Sequence, residues 1–208
     1  MDTLKLSDRY TAFEDGGFIE QEIPTTITDN LNPRLVLRPY QKRAIARFVH
    51  YWQQDKGKTF PIQLLFNMAT GSGKTLIMAA AMLYLYEKGY RNIVFFVDKK
   101  TIITKTIDNF LGKGSLKYLF ASRVFVDGSE VTIAQVDNFT AGTAPDTLKI
   151  HFATIGGLHG RLNDPKENAV TFDDFAKEKT VFISDEAHHI NALTKKKKTA
   201  EDMENITS

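Results

Sequence analysis

The stretch MATGSGKT, Met68 to Thr75, has the residue types and spacing that bind a chain of phosphates. Glycines let a backbone turn with several N–H groups pointing to one side, where they donate to phosphate oxygens beside the positive end of the next helix. Lys74 would then neutralise the outer phosphates, and the Thr75 hydroxyl could bind Mg²⁺. The candidate nucleotide contacts of this turn are Thr70, Gly71, Ser72, Gly73, Lys74 and Thr75. Because Met68 replaces the first glycine of the general pattern, a glycine turn that binds nothing is the alternative interpretation.

A second motif, VFISDEAHH, places acidic residues directly after a short apolar run. A carboxylate at the carboxyl end of a parallel strand can reach a metal beside the phosphates, so we expect Asp185 to hold Mg²⁺. Glu186 would orient and deprotonate the attacking water, and the candidate catalytic set is Lys74, Asp185, Glu186 and His188. The rival interpretation is a zinc site made by Glu186, His188 and His189. Adjacent histidines point in different directions, however, and the HExxH spacing is missing.

Short apolar runs alternate with helical patterns around these motifs, which predicts an α/β fold with a mostly parallel sheet covered by helices on both faces. The predicted strands are Gln63–Met68, Asn92–Asp98, Lys149–Thr154 and Val181–Asp185. The predicted helices run from Pro39 to about Trp52, from Thr75 to Gly89, from Thr101 to Phe110 and from Phe172 to Lys179. Alternating apolar residues on either side of Asp127 and Gly128 predict a small hairpin.

Composition limits the classes of function. With 27 basic and 25 acidic side chains the net charge is only +2, so a nucleic-acid surface would have to be a local patch. Cysteine is absent, which excludes disulfides and thiolate metal sites. The longest apolar run, Leu76 to Tyr86, is shorter than the roughly 20 residues that a membrane span needs. We therefore expect a cytoplasmic protein without a membrane segment.

The order of the motifs carries a resemblance to a known family. MATGSGKT, followed by DEAH and preceded by LRPYQ at Leu37–Gln41, resembles the first RecA-like motor domain of superfamily 2 helicases and translocases. Within that superfamily it is most similar to the restriction subunit of type III restriction enzymes, over about residues 34–192. The resemblance implies a P-loop motor that uses ATP and Mg²⁺. It also implies nucleotide contacts from Arg38 and Gln41, with Gln41 reading the adenine edge, although taken alone Gln41 is a polar residue on an amphipathic helix.

Two further stretches resemble the DNA-contacting parts of this family. FFVDKKTIITKT has Lys99 and Lys100 where restriction motors carry basic residues, although Lys105 stands where many relatives have Gln. FATIGGLHG resembles a threonine-rich strand end, which makes Thr154 a candidate phosphate contact. Contacts to phosphates suit a motor, since phosphates occur at every step along double-stranded DNA. The alternative for Lys99 and Lys100 is a pair of solvated lysines on a loop.

The resemblance also predicts the organisation of the chain. Residues 1–37 form an extension, residues 38–192 an incomplete RecA-like domain truncated after the DEAH strand, and residues 193–208 a basic, then acidic, loop. A second RecA-like lobe and a nuclease domain would follow in the full-length chain, and a modification methyltransferase would be its partner subunit. Because the family's second lobe supplies an arginine to the transferring phosphoryl group, we expect the isolated chain to be inactive or very slow.

Two alternative functions remain at this stage. One is another superfamily 2 helicase acting on DNA or RNA, including a type I restriction motor. The other is an ATP-binding remnant without turnover. Stimulation of ATP hydrolysis by DNA would discriminate between a motor and such a remnant.

Overall fold

The computed structural model describes most of the chain in two compact units. The first unit comprises Met1–Glu87 with Leu119–Phe125, and the second comprises Lys88–Tyr118 with Val126–Ser208. The residues described are 5–58, 61–97, 100–137, 139, 144–154, 157 and 179–185, with the backbone alone at 100 and 101. Among them, no helix is both long and apolar enough to cross a membrane.

The described residues form five helices and five strands. The helices are α1 (Leu6–Asp15), α2 (Thr25–Thr28), α3 (Pro39–Gln54), α4 (Lys74–Glu87) and α5 (Lys100–Leu111). The strands are β1 (Asn92–Val97), β2 (Val124–Val126), β3 (Ser129–Gln135), β4 (Thr147–Thr154) and β5 (Thr180–Ser184). The predicted helices from Pro39, Thr75 and Thr101 are confirmed to within a few residues.

The core of the first unit forms around α3 and α4. α4 is apolar nearly all round, as its sequence predicts, and most of its side chains are buried. α3 presents Phe48 to Tyr84 of α4, with the two rings 5.7 Å apart. The N-terminal residues belong to the same core, since α1 and α2 and the segments beside them bury the side chains of Tyr10, Ile19, Ile23, Ile27 and Leu31.

A buried asparagine ties residues 119–125 to the first unit. Asn30 donates through Nδ2 to the carbonyl oxygens of Thr26 and Phe125, at 3.0 and 2.7 Å, and accepts from the Phe125 N–H at 2.7 Å. Leu31 and Phe120 form an antiparallel bridge beside it. The side-chain bonds of Asn30 and this backbone bridge explain why a segment so far along the chain belongs with the N-terminal helices.

The sheet of the second unit is mostly parallel, which confirms the predicted α/β fold. Its strand order is β2-β3-β4-β1-β5, and β1 is parallel to both β4 and β5. β3 is parallel to β4. The hairpin predicted at Asp127 and Gly128 is confirmed, because both residues have positive φ angles of 50° and 81° between β2 and β3.

The two faces of this sheet have separate apolar clusters. On one face Phe110 of α5 packs against Phe95 and Phe152, with ring centroids 5.2 and 6.2 Å away. The opposite face carries Val94 and Ala153, which pack with residues that follow β3, namely Val136 and Phe139. Since side chains alternate between faces along a strand, β1 and β4 are covered on both sides.

One predicted strand is wrong. Gln63–Met68 is extended but joins no ladder within the described residues, and Leu65 is 80% exposed. Phe66 instead packs against Phe48 of α3, with the two rings 6.1 Å apart. An apolar run becomes a buried strand only where a neighbouring strand pairs with it, and that partner is not a property of the run itself. The helix predicted at Phe172–Lys179 lies outside the described residues, apart from Lys179, which is not helical.

Candidate nucleotide site and strand-end site

The turn before α4, predicted to be a phosphate loop, is an open glycine turn of the first unit and is called the phosphate loop below. Gly71 and Gly73 have positive φ angles of 75° and 79°, a backbone conformation that glycine adopts without strain. Ser72 N–H donates to the Ala69 carbonyl at 3.2 Å, which closes the turn. The helix then begins at Lys74, and within its first turn the Leu76 N–H donates back to the Gly73 carbonyl at 3.0 Å. The N–H groups ahead of Leu76 lie at the helix N-terminus, where a helix has no carbonyl of its own to offer them. Thr70, Gly71 and Gly73 are exposed, and the loop is accessible to a ligand.

Polar groups of the loop fit a phosphate chain. The Ser72 hydroxyl oxygen is buried and has no hydrogen-bond partner in the part of the chain that the structure describes. Lys74 Nζ donates to the Met68 carbonyl at 3.3 Å, so the ammonium group reaches back over the loop. That bond is long, and a phosphate oxygen would be a stronger acceptor for the ammonium. The loop therefore offers a hydroxyl, a cation and helix N–H groups to one anion.

The first turn of α3 holds this loop from the side. Gln41 is buried, with 4% of its surface exposed. Its Oε1 accepts from the Arg38 N–H at 2.9 Å, which caps α3, and its Nε2 donates to the Ser72 carbonyl at 3.0 Å. A Cβ atom on Gly73 would lie 2.5 Å from Gln41 Nε2, so a side chain there would displace this amide, and the positive φ favours glycine as well. The amide keeps one lone pair on Oε1, and its second N–H makes only a 3.5 Å contact to the Gly73 carbonyl. It therefore has one acceptor and one donor to offer, which is what the predicted contact with the adenine edge needs.

The second unit places Asp185 at the end of β5, as predicted. Its N–H donates to the Phe96 carbonyl at 3.2 Å, which extends the β1–β5 pairing by one residue. The side chain is half-buried. Because the carboxyl ends of parallel strands share one edge of a sheet, Asp185 lies at the edge where ligands bind in open α/β sheets.

Thr154 lies at the same edge, at the end of β4. It is opposite Val97, the last residue of β1, in the parallel register. Its Oγ1 accepts from the Gly157 N–H at 3.1 Å, which leaves the hydroxyl hydrogen available to a phosphate oxygen. β1 lies between β4 and β5, so its last residue, Val97, lies at this edge between the ends of the strands that lead to Thr154 and Asp185. α5 then begins at Lys100 and exposes Lys105.

The structure describes only some of the predicted site residues. It brings Gln41 together with Ser72 and Gly73, and it places Arg38 beside Tyr40, where Arg38 Nη1 donates to the tyrosine oxygen at 3.1 Å. Glu186, His188 and Lys99 lie outside the described residues, as does the side chain of Lys100. Their roles remain predictions.

Comparison with known proteins agrees with this geometry. Residues 34–207 match the family model described as "Type III restriction enzyme, res subunit". The chain belongs to this family. It is therefore a Res-type chain, and the RecA-like P-loop fold expected from its motifs is the fold of its family.

Two relatives extend the comparison. The chain is 39% identical, over 168 residues, to the "Probable type III restriction-modification enzyme HindVIP Res subunit" of Haemophilus influenzae. That alignment covers 78% of this Res-type chain and 32% of the relative. The chain is 27% identical, over 164 residues, to the "Type I restriction enzyme SsaAORF53P endonuclease subunit" of Staphylococcus saprophyticus, covering 77% of the chain and 15% of that relative. No solved structure matches the chain.

Sequence reasoning missed one contact of this Res-type site. The Tyr40 hydroxyl donates to the Ser72 carbonyl at 2.9 Å. The only signal in the sequence is an aromatic residue with a hydroxyl beside Gln41. Residues 40 and 72 are far apart along the chain, so the contact depends on how α3 packs against the loop.

Proposed function

We propose that this Res-type chain is the ATP-binding motor domain of a type III restriction endonuclease, in which ATP hydrolysis drives movement on double-stranded DNA. The phosphate loop carries this proposal. It is an exposed glycine turn at a helix N-terminus, where the Ser72 hydroxyl has no hydrogen-bond partner among the described residues and the Lys74 ammonium makes only a long bond to the Met68 carbonyl. The match to the Res family supports ATP as the nucleotide.

The roles in hydrolysis are proposed residue by residue. Lys74 and the loop N–H groups bind the β- and γ-phosphates, and Gln41 binds the adenine edge. Thr75 and Asp185 are the residues proposed to hold Mg²⁺, which supplies neutralisation of charge at the phosphates. Glu186 accepts a proton from the water that attacks the γ-phosphorus, and His188 belongs to the same motif.

Contacts to DNA are proposed at the carboxyl edge of the sheet. Lys99, Lys100 and Thr154 would bind backbone phosphates, so binding would be independent of base sequence. The chain spans about a third of the length of its Haemophilus relative. A second RecA-like lobe, a nuclease domain and a modification methyltransferase subunit are the proposed partners of this domain in the whole enzyme.

Nucleotide binding and DNA-stimulated turnover test the proposal together. Calorimetric titration should detect MgATP binding by this chain, and Lys74→Ala should abolish it because the phosphates lose their cation. Lys42→Ala is the matched control, since Lys42 is an exposed lysine on α3. In the natural full-length protein, DNA should stimulate hydrolysis, whereas the isolated chain should hydrolyse ATP very slowly.

Two results would contradict the proposal at different levels. Failure of the chain to bind MgATP would remove the nucleotide site. Hydrolysis by the full-length protein at the same rate with and without DNA would leave an ATPase but would argue against a DNA motor.

A further inference from the structure

The Ser72–Gly73 peptide is held by two side chains of α3. Its carbonyl oxygen, on Ser72, accepts from the Tyr40 hydroxyl at 2.9 Å and from Gln41 Nε2 at 3.0 Å. A carbonyl oxygen has two lone pairs, so these two donors use its full capacity. Tyr40 and Gln41 are neighbours at the start of α3, and the peptide they hold lies directly before Lys74.

This arrangement also determines the direction of a loop N–H group. A trans peptide is planar, and its N–H points opposite to its C=O. Because the Ser72 carbonyl points toward α3, the Gly73 N–H points away from α3. Glycine rotates easily, and with no constraint on its carbonyl this peptide could turn over and present its oxygen where a phosphate needs a donor.

The Tyr40 hydroxyl is itself oriented. Arg38 Nη1 donates to its oxygen at 3.1 Å, so the hydroxyl hydrogen is left to donate to Ser72. A hydroxyl that accepts from a cation becomes a stronger donor, since the bonds in such a chain polarise one another. Tyr40 is 41% exposed, so its ring contributes little to the core while its hydroxyl contacts the loop.

We propose that Tyr40 is a positioning residue of the nucleotide site, which holds the Ser72–Gly73 peptide in the orientation that binds phosphate. It acts through the loop and does not contact the nucleotide. This inference rests on the proposed function, because it assumes that the loop binds the phosphates of ATP. It also gives Arg38 a role besides the predicted nucleotide contact, namely orienting the Tyr40 hydroxyl.

Tyr40→Phe isolates this effect, because it removes one hydroxyl and keeps the ring. Loss of one of the two hydrogen bonds should weaken the binding of MgATP by about threefold to tenfold. The same loss should be seen with GTP and with inorganic tripolyphosphate, which has no base. Tyr51→Phe is the matched control, since Tyr51 lies near the other end of α3 and contacts the Tyr10 ring.

Three measurements on the same variants complete the test. Calorimetry gives the three affinities, and thermal unfolding should give the same midpoint for Tyr40→Phe as for Tyr51→Phe. NMR relaxation of the Gly73 amide without nucleotide should show more motion of the Ser72–Gly73 peptide in Tyr40→Phe than in the parent, and no change in Tyr51→Phe.

Several results would overturn the inference. Equal affinities of Tyr40→Phe and the parent for all three ligands would show that the loop does not need the hydroxyl. A loss confined to ATP would indicate that Tyr40 contacts the base, and a lower unfolding midpoint than that of Tyr51→Phe would make Tyr40 a residue of fold stability. If the parent chain bound none of the ligands, the proposed function and this inference would both be wrong. Each of the other results would overturn only the inference and would leave the proposed function intact.

Discussion

Glu14 and Arg47 form a two-point ion pair that joins α1 to α3. Arg47 Nε donates to Oε1 at 2.8 Å and Arg47 Nη2 donates to Oε2 at 2.5 Å, while Arg43 Nε adds a third bond to Oε2 at 2.6 Å. The Glu14 side chain is only 9% exposed. Such bidentate contacts are stronger than ordinary surface pairs, so this carboxylate anchors the N-terminal helix to the helix that holds the phosphate loop.

The pH dependence of stability should report this ion pair. Hydrogen bonds from Arg47 are the main cause that lowers the pKa of Glu14 to about 2 from 4.5. A carboxyl group with a lowered pKa in the folded state stabilises the fold above its unfolded pKa, and this stability is lost as the pH falls toward the folded pKa. We expect Glu14→Gln to lower the free energy of unfolding by about 1–3 kcal/mol at pH 7. This range is smaller than the pKa shift alone would give, because Arg43 is partly exposed and solvent screens its interaction with Glu14.

Urea denaturation at several pH values measures this difference. It should shrink between about pH 4.5 and pH 2, where the parent also loses the charge. Glu20→Gln changes an exposed carboxylate and should have little effect. A difference that stays constant down to pH 2 would mean that the charge of Glu14 does not stabilise the fold.

Asn30 should be among the positions of the first unit that tolerate substitution least. Asn30→Asp replaces the Nδ2 donor with an oxygen that faces the carbonyl oxygens of Thr26 and Phe125, so the loss should be at least as large as for Asn30→Ala, about 2–3 kcal/mol. Asp29→Asn, at the exposed neighbouring position, is the control. Equal denaturation midpoints for Asn30→Asp and the parent would show that the pairing with residues 119–125 does not contribute.

Gln41→Ala should reduce the preference for ATP over GTP. The paired hydrogen bonds of a buried amide to adenine would contribute about 1–3 kcal/mol, and GTP presents the opposite pattern of donor and acceptor. Affinity for both nucleotides should also fall, because Nε2 holds the Ser72 carbonyl. Competition binding measures both effects, and an unchanged ATP/GTP ratio with weaker binding of each would limit Gln41 to supporting the loop.

Glu186→Gln should separate binding from hydrolysis in the full-length protein. The amide cannot accept the proton of the attacking water, so turnover should stop while MgATP binding persists. Calorimetry and phosphate release on the same preparation provide the comparison. Hydrolysis at the parent rate would show that Glu186 is not the base.

Binding of DNA should be weak, independent of sequence and sensitive to salt. Neutralising a phosphate releases condensed counterions, so charge reversal at both Lys99 and Lys100 should reduce the slope of log affinity against log salt by about 1–2. Lys56→Glu, at an exposed lysine of the first unit, is the control. Fluorescence anisotropy with two unrelated duplexes measures the slopes, and an affinity of the parent that does not change with salt would argue against backbone tracking.

Local features of this chain could be predicted from its sequence. The phosphate loop and the hairpin at Asp127 and Gly128 depend on residues within a few positions of one another, because positive φ angles and a following helix determine their shape. The parallel sheet was equally predictable, since its strands are continuous apolar runs separated by helical segments. Asp185 and Thr154 could be placed at strand ends for the same reason.

Tertiary structure decided the contacts between distant residues. Gln63–Met68 has the composition of a buried strand, but pairing needs a neighbour that the segment itself does not specify. Asn30 and Phe125 are 95 positions apart, and Gln41 and Ser72 are 31 apart. Side chains of these types can hydrogen-bond to water, to a ligand or to many backbone groups. Packing of the cores around α3 and α4 selects among those partners, because it alone brings one particular carbonyl within reach of a particular donor.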